Sequence, residues 1–510
     1  MEALAWALSV MAWLAALAFL SKILTFKRHQ LKLAPGPKPW PIIGNLNLIG
    51  PLLHQSIHKL SQRYGPIMQL TFGSFSVVVA SSPEMAKQIL KTHDHIFASR
   101  PQTAAGKYTT YNYTDILWAP YGPYFRQGRK IYMSELFTSK RLESYEYIRV
   151  EERKALVSRL FALTGKPVRV KEHLLRLTLS VISRIVLGKM YFSESESETS
   201  TGTQTPKEFQ QMLDEWFLLN SKLNIGDWIP WLNFLDLQGY VKRMKALTKK
   251  FDQFYDHVFD DHKVKRGVGD FVPNDMVDLL LQLVDDPNTV VKLTYDNVKG
   301  LTQDLMIGGT ETSASTLEWA MSELLKQPHL IKKATEELDR VIGKDRWVEE
   351  KDIPELPYID AIMKETMRIH PAAVMLAPHL ALKDCNIAGY DIRKGSIVLI
   401  NTWSMGRDPL IWNAPEEFHP ERFLGKAIDV KGQHFELLPF GSGRRMCPAY
   451  TLGLKMISST LANMLHGFEW KLPDNMKPED LSMEEVYGLT TSRKFPLVAV
   501  TKPRLPPHLY

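Results

Sequence analysis

One stretch limits the possible folds more than any other: Pro439-Phe-Gly-Ser-Gly-Arg-Arg-Met-Cys-Pro-Ala-Tyr-Thr-Leu-Gly453. Its first half, broken by proline and glycine, favours an irregular loop over regular structure. From Tyr450 the apolar residues Leu452, Met456, Ile457, Leu461 and Leu465 recur with the period of a helix face. Cys447 is therefore set just ahead of a helix N-terminus, where loop N–H groups and the helix dipole favour negative charge. Arg444 and Arg445 add positive charge, which is expected to lower the thiol pKa and to face an anionic ligand. The 510 residues hold one further cysteine, Cys385, so no disulfide framework is expected and the body of the chain is read as facing a reducing compartment. From the residues alone Cys447 has three readings: a nucleophile, an inert buried thiol, or the single axial ligand of a metal macrocycle.

The whole string Phe440-x-x-Gly443-x-Arg445-x-Cys447 resembles the haem-binding loop of the cytochrome P-450 monooxygenases. In that superfamily a cysteine thiolate ligates haem iron and pushes electron density toward O–O cleavage. The resemblance implies haem b (iron protoporphyrin IX) with Cys447 as its axial ligand, and Phe440, Gly443 and Arg445 as cofactor-binding residues. One position departs from the pattern: the second residue after the cysteine, usually glycine, is Ala449.

Further segments fit the same resemblance in chain order. Leu301 to Leu325 has a helical apolar pattern, yet its centre reads Gly308-Gly-Thr-Glu-Thr-Ser313. Two glycines cost about 1 kcal/mol each relative to alanine inside a helix, and a failure of local propensity is expected where function intervenes. The resemblance makes this the oxygen-activating groove, with Glu311 in the acid position and Thr312 in the alcohol position. In Tyr121-Gly-Pro-Tyr-Phe-Arg-Gln-Gly-Arg-Lys130 an aromatic and an arginine four apart, Phe125 and Arg129, stand where relatives contact a haem propionate. Phe125 replaces the usual tryptophan and cannot donate a hydrogen bond. Glu365 and Arg368, three apart on a helix, resemble with Arg422 the Glu-Arg-Arg lock of the family. Ala372 to Ala377 is expected to line the substrate cavity, and Tyr487 to Thr491 to turn back into it. His379 stands near a propionate-binding arginine of many relatives; a propionate partner would raise its pKa, so its help would fade as pH rises.

At the N-terminus, Ala3 to Leu20 is an 18-residue apolar run interrupted by Ser9 and followed by Lys22, Lys27, Arg28 and Lys32. With Ile23 to Phe26 it is long enough to span a bilayer. A cleaved signal peptide ending near Ala16-Leu17-Ala18 is the rival, but the positive charge lies after the run rather than before it. The positive-inside rule then leaves the body in the cytosol. Leu33 to Asn45, with four prolines and two glycines in thirteen residues, reads as a stiff extended spacer and resembles the hinge of microsomal members. Ile67 to Phe72 and Ser76 to Ala80 read as a hairpin, Ser193 to Lys207 as an exposed loop, and Phe209 to Leu223 and Tyr240 to Val264 as helices. Between those helices lies an aromatic cluster, Trp228, Trp231, Phe234 and Leu235, read as core or as a surface that dips into a membrane.

The expected fold is mainly α with small β-sheets, a cytochrome P-450 fold preceded by one N-terminal transmembrane helix. The chain divides into residues 1–30 as anchor, 31–45 as hinge and 46–510 as catalytic domain. A net charge of +7 over this length gives no reason to invoke nucleic acid. The resemblance, closest in wording to the plant microsomal branch with flavonoid hydroxylases and terpenoid oxidases, implies insertion of one oxygen atom from O2 into a lipophilic small-molecule substrate at the endoplasmic reticulum membrane. No Gly-x-Gly-x-x-Gly fingerprint follows a strand, so electrons are expected from an NADPH-cytochrome P-450 reductase. Two rival functions are a haem-thiolate isomerase or dehydratase working without O2, and a non-catalytic haem carrier or sensor. Neither has a use for Glu311 and Thr312 together.

Overall fold

A computed structural model describes residues 31–190, 205–266, 272–287 and 290–510, together with Trp6 and Trp13. The expected membrane anchor lies outside the described residues apart from those two tryptophans. Among the described residues no helix is long and apolar enough to cross a membrane.

Eight helices carry the argument and are numbered in chain order: α1 Pro123–Ile131, α2 Val170–Leu187, α3 Pro206–Ser221, α4 Tyr240–Arg266, α5 Met276–Asp285, α6 Tyr295–Lys326, α7 Pro357–Ile369 and α8 Tyr450–Gly467. The 32 residues of α6 extend about 48 Å, and α2, α5, α7 and α8 pack around it. A capping box at its start, Thr294 with Asn297, satisfies N–H groups that the first turn leaves without partners. Every residue from Val298 to Leu325 except Asp304, Gly308, Gly309 and Thr312 is buried, so packing of the turns on either side, rather than propensity, holds the glycine- and threonine-rich centre helical. Gly309 has a direct reason: a Cβ there would lie 2.6 Å from the Ile182 side chain of α2. Gly308 has no such neighbour within 4 Å.

A four-stranded sheet closes one side, in the order β1 (Ile67–Phe72), β2 (Phe75–Ala80), β4 (Ile397–Ile400), β3 (His379–Leu380). The hairpin is antiparallel, β2 pairs with β4 in parallel, and β3 runs antiparallel to β4 with His379 opposite Val398. The four residues of β4 are all buried, as a nearly continuous apolar run predicts for a strand covered on both faces. Another sheet ties the C-terminal strand Val498–Pro503 between Pro167–Arg169 and Phe468–Lys471.

Three expectations need revision. The proline-rich hinge is not a free spacer: Gln69 donates its N–H to the Pro35 carbonyl at 2.9 Å, Asp391 to that of Lys32 at 2.7 Å, and Gly44 bridges to Phe72 at the sheet edge. Most of the expected loop Ser193 to Lys207 lies outside the described residues, and its end already belongs to α3, where Thr205 and Glu208 form a capping box. The aromatic cluster splits in two. Trp228 packs edge-on against Phe72 at 5.2 Å and Phe75 at 6.2 Å, whereas Trp231 and Phe234 are 61% and 83% exposed.

Candidate functional site

The loop around Cys447 is closed by its own backbone. The Cys447 N–H donates to the Phe440 carbonyl at 2.9 Å and the Met446 N–H to that of Gly443 at 3.1 Å. Gly443 has φ +69°, and a Cβ there would lie 2.1 Å from the Leu90 carbonyl oxygen, so both conformation and space require glycine. The Cys447 sulfur lies deep among protein atoms, although the residue as a whole is half-buried. Burial pushes its thiol up to about 11, although the Ala449 N–H and the Arg129 guanidinium work the other way.

The expectation that Arg444 and Arg445 lower the thiol pKa is therefore corrected. Arg444 points outward to Asp94 at 3.2 Å. Arg445 turns away from the sulfur and donates to the carbonyls of Ala98, Ile116 and Ala119, with its guanidinium 3.7 Å from the centre of the Phe125 ring. Phe125, a buried residue of α1, thus serves as a platform for a cation. From the next turn of α1, Arg129 donates to the carbonyl of Met446, directly before the cysteine.

A further arginine, missed in the sequence, completes the cluster. Arg100 is buried and donates to the carbonyls of Leu117 at 2.9 Å, Ala377 at 2.9 Å and Pro378 at 3.0 Å. The pairing of Leu380 with Ser99 brings it beside His379. Its only sequence signal was a lone arginine in an otherwise uncharged stretch.

Burial, Arg100 and Arg129 press the Arg445 guanidinium down to about 8, still charged at neutral pH, and burial brings Arg100 to about 10. Asp115, the carboxylate that acts on both, is itself pushed well up by burial and by Asp304. Among the described residues no carboxylate forms an ion pair with Arg100, Arg129 or Arg445, an arrangement suited to an anionic ligand. A flat ligand with two carboxylates and a metal atom open to one sulfur donor fits this set: Cys447 for the metal, and Arg100, Arg129 and Arg445 for the carboxylates.

His379 is handled differently from expectation. Its Nδ1 lies 2.8 Å from the Phe97 carbonyl, which can only accept, so that nitrogen carries a hydrogen. Burial, Arg100 and Arg445 hold its pKa well below 6.5. A neutral His379 bonded in this way has no second hydrogen to offer a carboxylate. Such a histidine stabilises the fold fully above about 6.5, and the stability is lost as pH falls from there toward the depressed value. We expect His379→Gln to flatten the acid-side loss of thermal stability between pH 7 and 5, with haem retention unchanged from pH 7 to 9. Haem loss rising on the alkaline side in the parent alone would instead identify His379 as a charged carboxylate partner.

On α6, the Thr312 hydroxyl donates to the Gly308 carbonyl at 2.8 Å. Adjacent Glu311 is buried and points elsewhere, to Lys171 of α2 at 2.6 Å and to the hydroxyls of Ser315 at 3.2 Å and Ser492 at 3.0 Å. Helical geometry makes the two residues neighbours without a direct bond between them. Lys171 carries no local sequence signal, because its partner is 140 positions away on another helix. Asp304, one turn before Gly308, is near enough to act electrostatically on Cys447, which places this part of α6 by the thiol.

The apolar stretch after α7 and the C-terminal loop do meet, the Thr491 N–H donating to the Ala372 carbonyl at 2.9 Å. Ala373, Met375, Leu376 and Ala377 remain only half-buried in the middle of the chain's packing. Beneath them the lock is complete. Arg368 clasps Glu365 with two bonds at 2.7 and 2.8 Å, and Arg422 reaches the same carboxylate at 2.9 Å.

A family model described as cytochrome P-450 matches residues 34–497. The chain is 48% identical to a trimethyltridecatetraene synthase of Zea mays, over 95% of this chain and 91% of that protein. It is 42% identical to a flavonoid 3'-monooxygenase of Petunia hybrida, over 97% and 96%. Among solved structures it is similar to a zebra fish cytochrome P-450 with abiraterone, at 26% identity and TM-score 0.75, covering 89% of this chain and 100% of that one.

Proposed function

The chain belongs to the cytochrome P-450 family and is an oxidoreductase of the monooxygenase kind, and from that premise we propose that it oxidises a lipophilic plant specialised metabolite, phenolic, flavonoid or terpenoid, with electrons passed from NADPH by a membrane-bound reductase. The observation that carries this reading is the pairing of one deeply set thiol, Cys447, with three guanidiniums, buried at Arg100 and half-buried at Arg129 and Arg445, that form no ion pair with a carboxylate among the described residues. Haem, when bound, supplies the reductive activation of O2.

In this reading Cys447 ligates the iron, while Phe440 and Gly443 fix the sulfur by closing the loop. Arg100, Arg129 and Arg445 hold the carboxylates, and Phe125 keeps Arg445 in place. The half-buried Ala373, Met375 and Ala377 present apolar surface to the substrate and exclude water from it. Glu311 takes up protons from the side of Lys171 and Ser492, and Thr312 holds one at its hydroxyl beside Gly308. Burial disfavours the Lys171 ammonium, yet the neighbouring Glu311 raises its pKa above the usual value, which keeps Lys171 a cation beside Glu311.

Thr312→Ala is then expected to keep haem and substrate binding but to send most NADPH electrons into hydrogen peroxide, lowering product per NADPH by about 10²-fold, the low end of what a positioned proton-transfer group contributes. Unchanged product per NADPH would remove Thr312 from the mechanism.

We further propose that residues 1–30 anchor the protein in the endoplasmic reticulum membrane with residues 46–510 in the cytosol. Support comes from the apolar run at the N-terminus, from exposed Trp40 and Ile42 beside the β1–β2 hairpin, and from exposed Trp231 and Phe234 shortly after Trp228, whose carbonyl accepts the Ser74 N–H of the β1–β2 turn. The full-length protein should stay with membranes through alkaline carbonate extraction. Recovery of a soluble chain starting near Ala18 would favour a cleaved signal peptide.

A further inference from the structure

Far along the chain from the thiol loop, the end of α4, the start of α5 and the end of α2 meet at His262, Asp275 and Asp278, all three buried. Asp275 caps α5: its Oδ1 accepts the Asp278 N–H at 2.9 Å. Asp278 accepts the Asn274 N–H on Oδ2 at 3.1 Å. Each carboxylate has thus committed one oxygen to the backbone, and the other turns toward the imidazole. Asp275 Oδ2 lies 3.1 Å from His262 Nε2, and Asp278 Oδ1 lies 4.0 Å from it.

The tautomer of His262 makes this convergence informative. Its Nδ1 is 2.7 Å from the Val258 carbonyl, which can only accept, so Nδ1 carries a hydrogen. In the neutral ring Nε2 then presents a lone pair, and three lone-pair atoms face one point. A cation at that point, proton or metal ion, relieves the repulsion among them. A proton on Nε2 satisfies the contact with Asp275 but leaves Asp278 Oδ1 buried without a hydrogen-bond partner. It also leaves two carboxylates against one imidazolium. A divalent ion would use all three atoms and neutralise both carboxylates.

The surroundings fit a metal centre. An imidazole whose far N–H is held by a backbone carbonyl is the usual arrangement of a metal-binding histidine, because that bond fixes the tautomer. Gly188, at the end of α2 with φ +76°, leaves room on the third side: a Cβ there would lie 2.3 Å from Asp275 Oδ2. Zinc bonds of about 2.0–2.2 Å place tetrahedral ligand atoms about 3.3–3.6 Å apart. All three atoms already lie within 4.8 Å of one another. One nitrogen with two carboxylate oxygens favours a first-row transition ion over calcium or magnesium, which prefer all-oxygen sites.

We propose that His262 Nε2, Asp275 Oδ2 and Asp278 Oδ1 form a binding site for a divalent transition-metal ion of the zinc type, with water in the fourth position, that pins α4 to α5 and to the end of α2.

Haem-loaded full-length protein, stripped with a chelator and then titrated with zinc chloride, should take up one zinc per chain beyond the haem iron and unfold at a higher temperature. Asp278→Asn, nearly isosteric, should keep the haem spectrum while losing the zinc equivalent and the thermal shift. Cys385→Ser should retain both. Uptake of less than about a tenth of an equivalent by the parent, which needs no variant to fold, overturns the proposal. Zinc binding by Asp278→Asn equal to the parent, or its loss in Cys385→Ser, overturns it too.

Discussion

Cys447→His should abolish the long-wavelength absorption band that reduced, carbon monoxide-bound thiolate haem displays, and turnover should fall to the level of reductase alone. The reason is that no other thiol can take over. Cys385, the second cysteine, sits in the strand Cys385–Ile387, paired in register with Ile392. Burial and Asp384 raise its pKa, so it is held as a thiol. At Cys447 burial also favours the thiol, so the thiolate expected there owes its stability chiefly to the metal, which deprotonates a coordinating thiol outright. The loop contributes position: the Phe440 carbonyl, Gly443 and the Arg129 contact at Met446 hold the sulfur whether or not it is charged. Histidine supplies a neutral, longer ligand and cannot reproduce that donor. A normal band in Cys447→His would end the assignment, while Cys385→Ser should leave the band in place.

Arg368→Ala should cost about 3–5 kcal/mol, the range for removing one partner from a buried ion pair, and yield little haem-loaded protein. Arg368 is 1% exposed and donates five hydrogen bonds, two to Glu365 and one each to the carbonyls of Gly406, Pro415 and Glu417. Its loss removes two of the four donors of the buried Glu365 carboxylate, leaving the His419 N–H at 2.7 Å and Arg422 at 2.9 Å. That set ties α7 to the Gly406–Arg422 segment that leads into the cysteine loop. Arg368→Lys should not restore the protein, because an ammonium cannot match the fork geometry of these bonds. Thermal unfolding and haem content measure the effect. A variant as stable as the parent would show that the lock is dispensable.

The Glu365–Arg368 pair, the hairpin and α6 were legible in the sequence because each depends on residues close together: a three-residue helical spacing, a nearly all β-branched strand, a helical run broken only at its centre. Arg422 of the lock was legible only through the family resemblance. The cysteine loop was legible through one string of eight residues. What escaped was assembled from distant positions. Arg100 owes its place to carbonyls at Leu117, Ala377 and Pro378, and no side-chain pattern announces a carbonyl acceptor. Lys171 met Glu311 only because α2 crosses α6. The direction of Arg444 and Arg445 was misread for the same reason, since adjacency to Cys447 in sequence does not aim a long side chain at the sulfur. Proline content correctly excluded helix from residues 33 to 45, yet could not reveal that the strand edge at Gln69 would bind that segment.

The central claim, a haem-thiolate monooxygenase that draws electrons from a separate reductase, is tested most directly by substrate conversion with each component withheld in turn. Purified chain, NADPH-cytochrome P-450 reductase, NADPH and O2, offered a panel of phenolics, flavonoids and terpenoids, should convert a substrate only when all are present, with NADPH consumed alongside product. Conversion that persists without O2 or without reductase would contradict the account and favour a haem-thiolate isomerase or dehydratase.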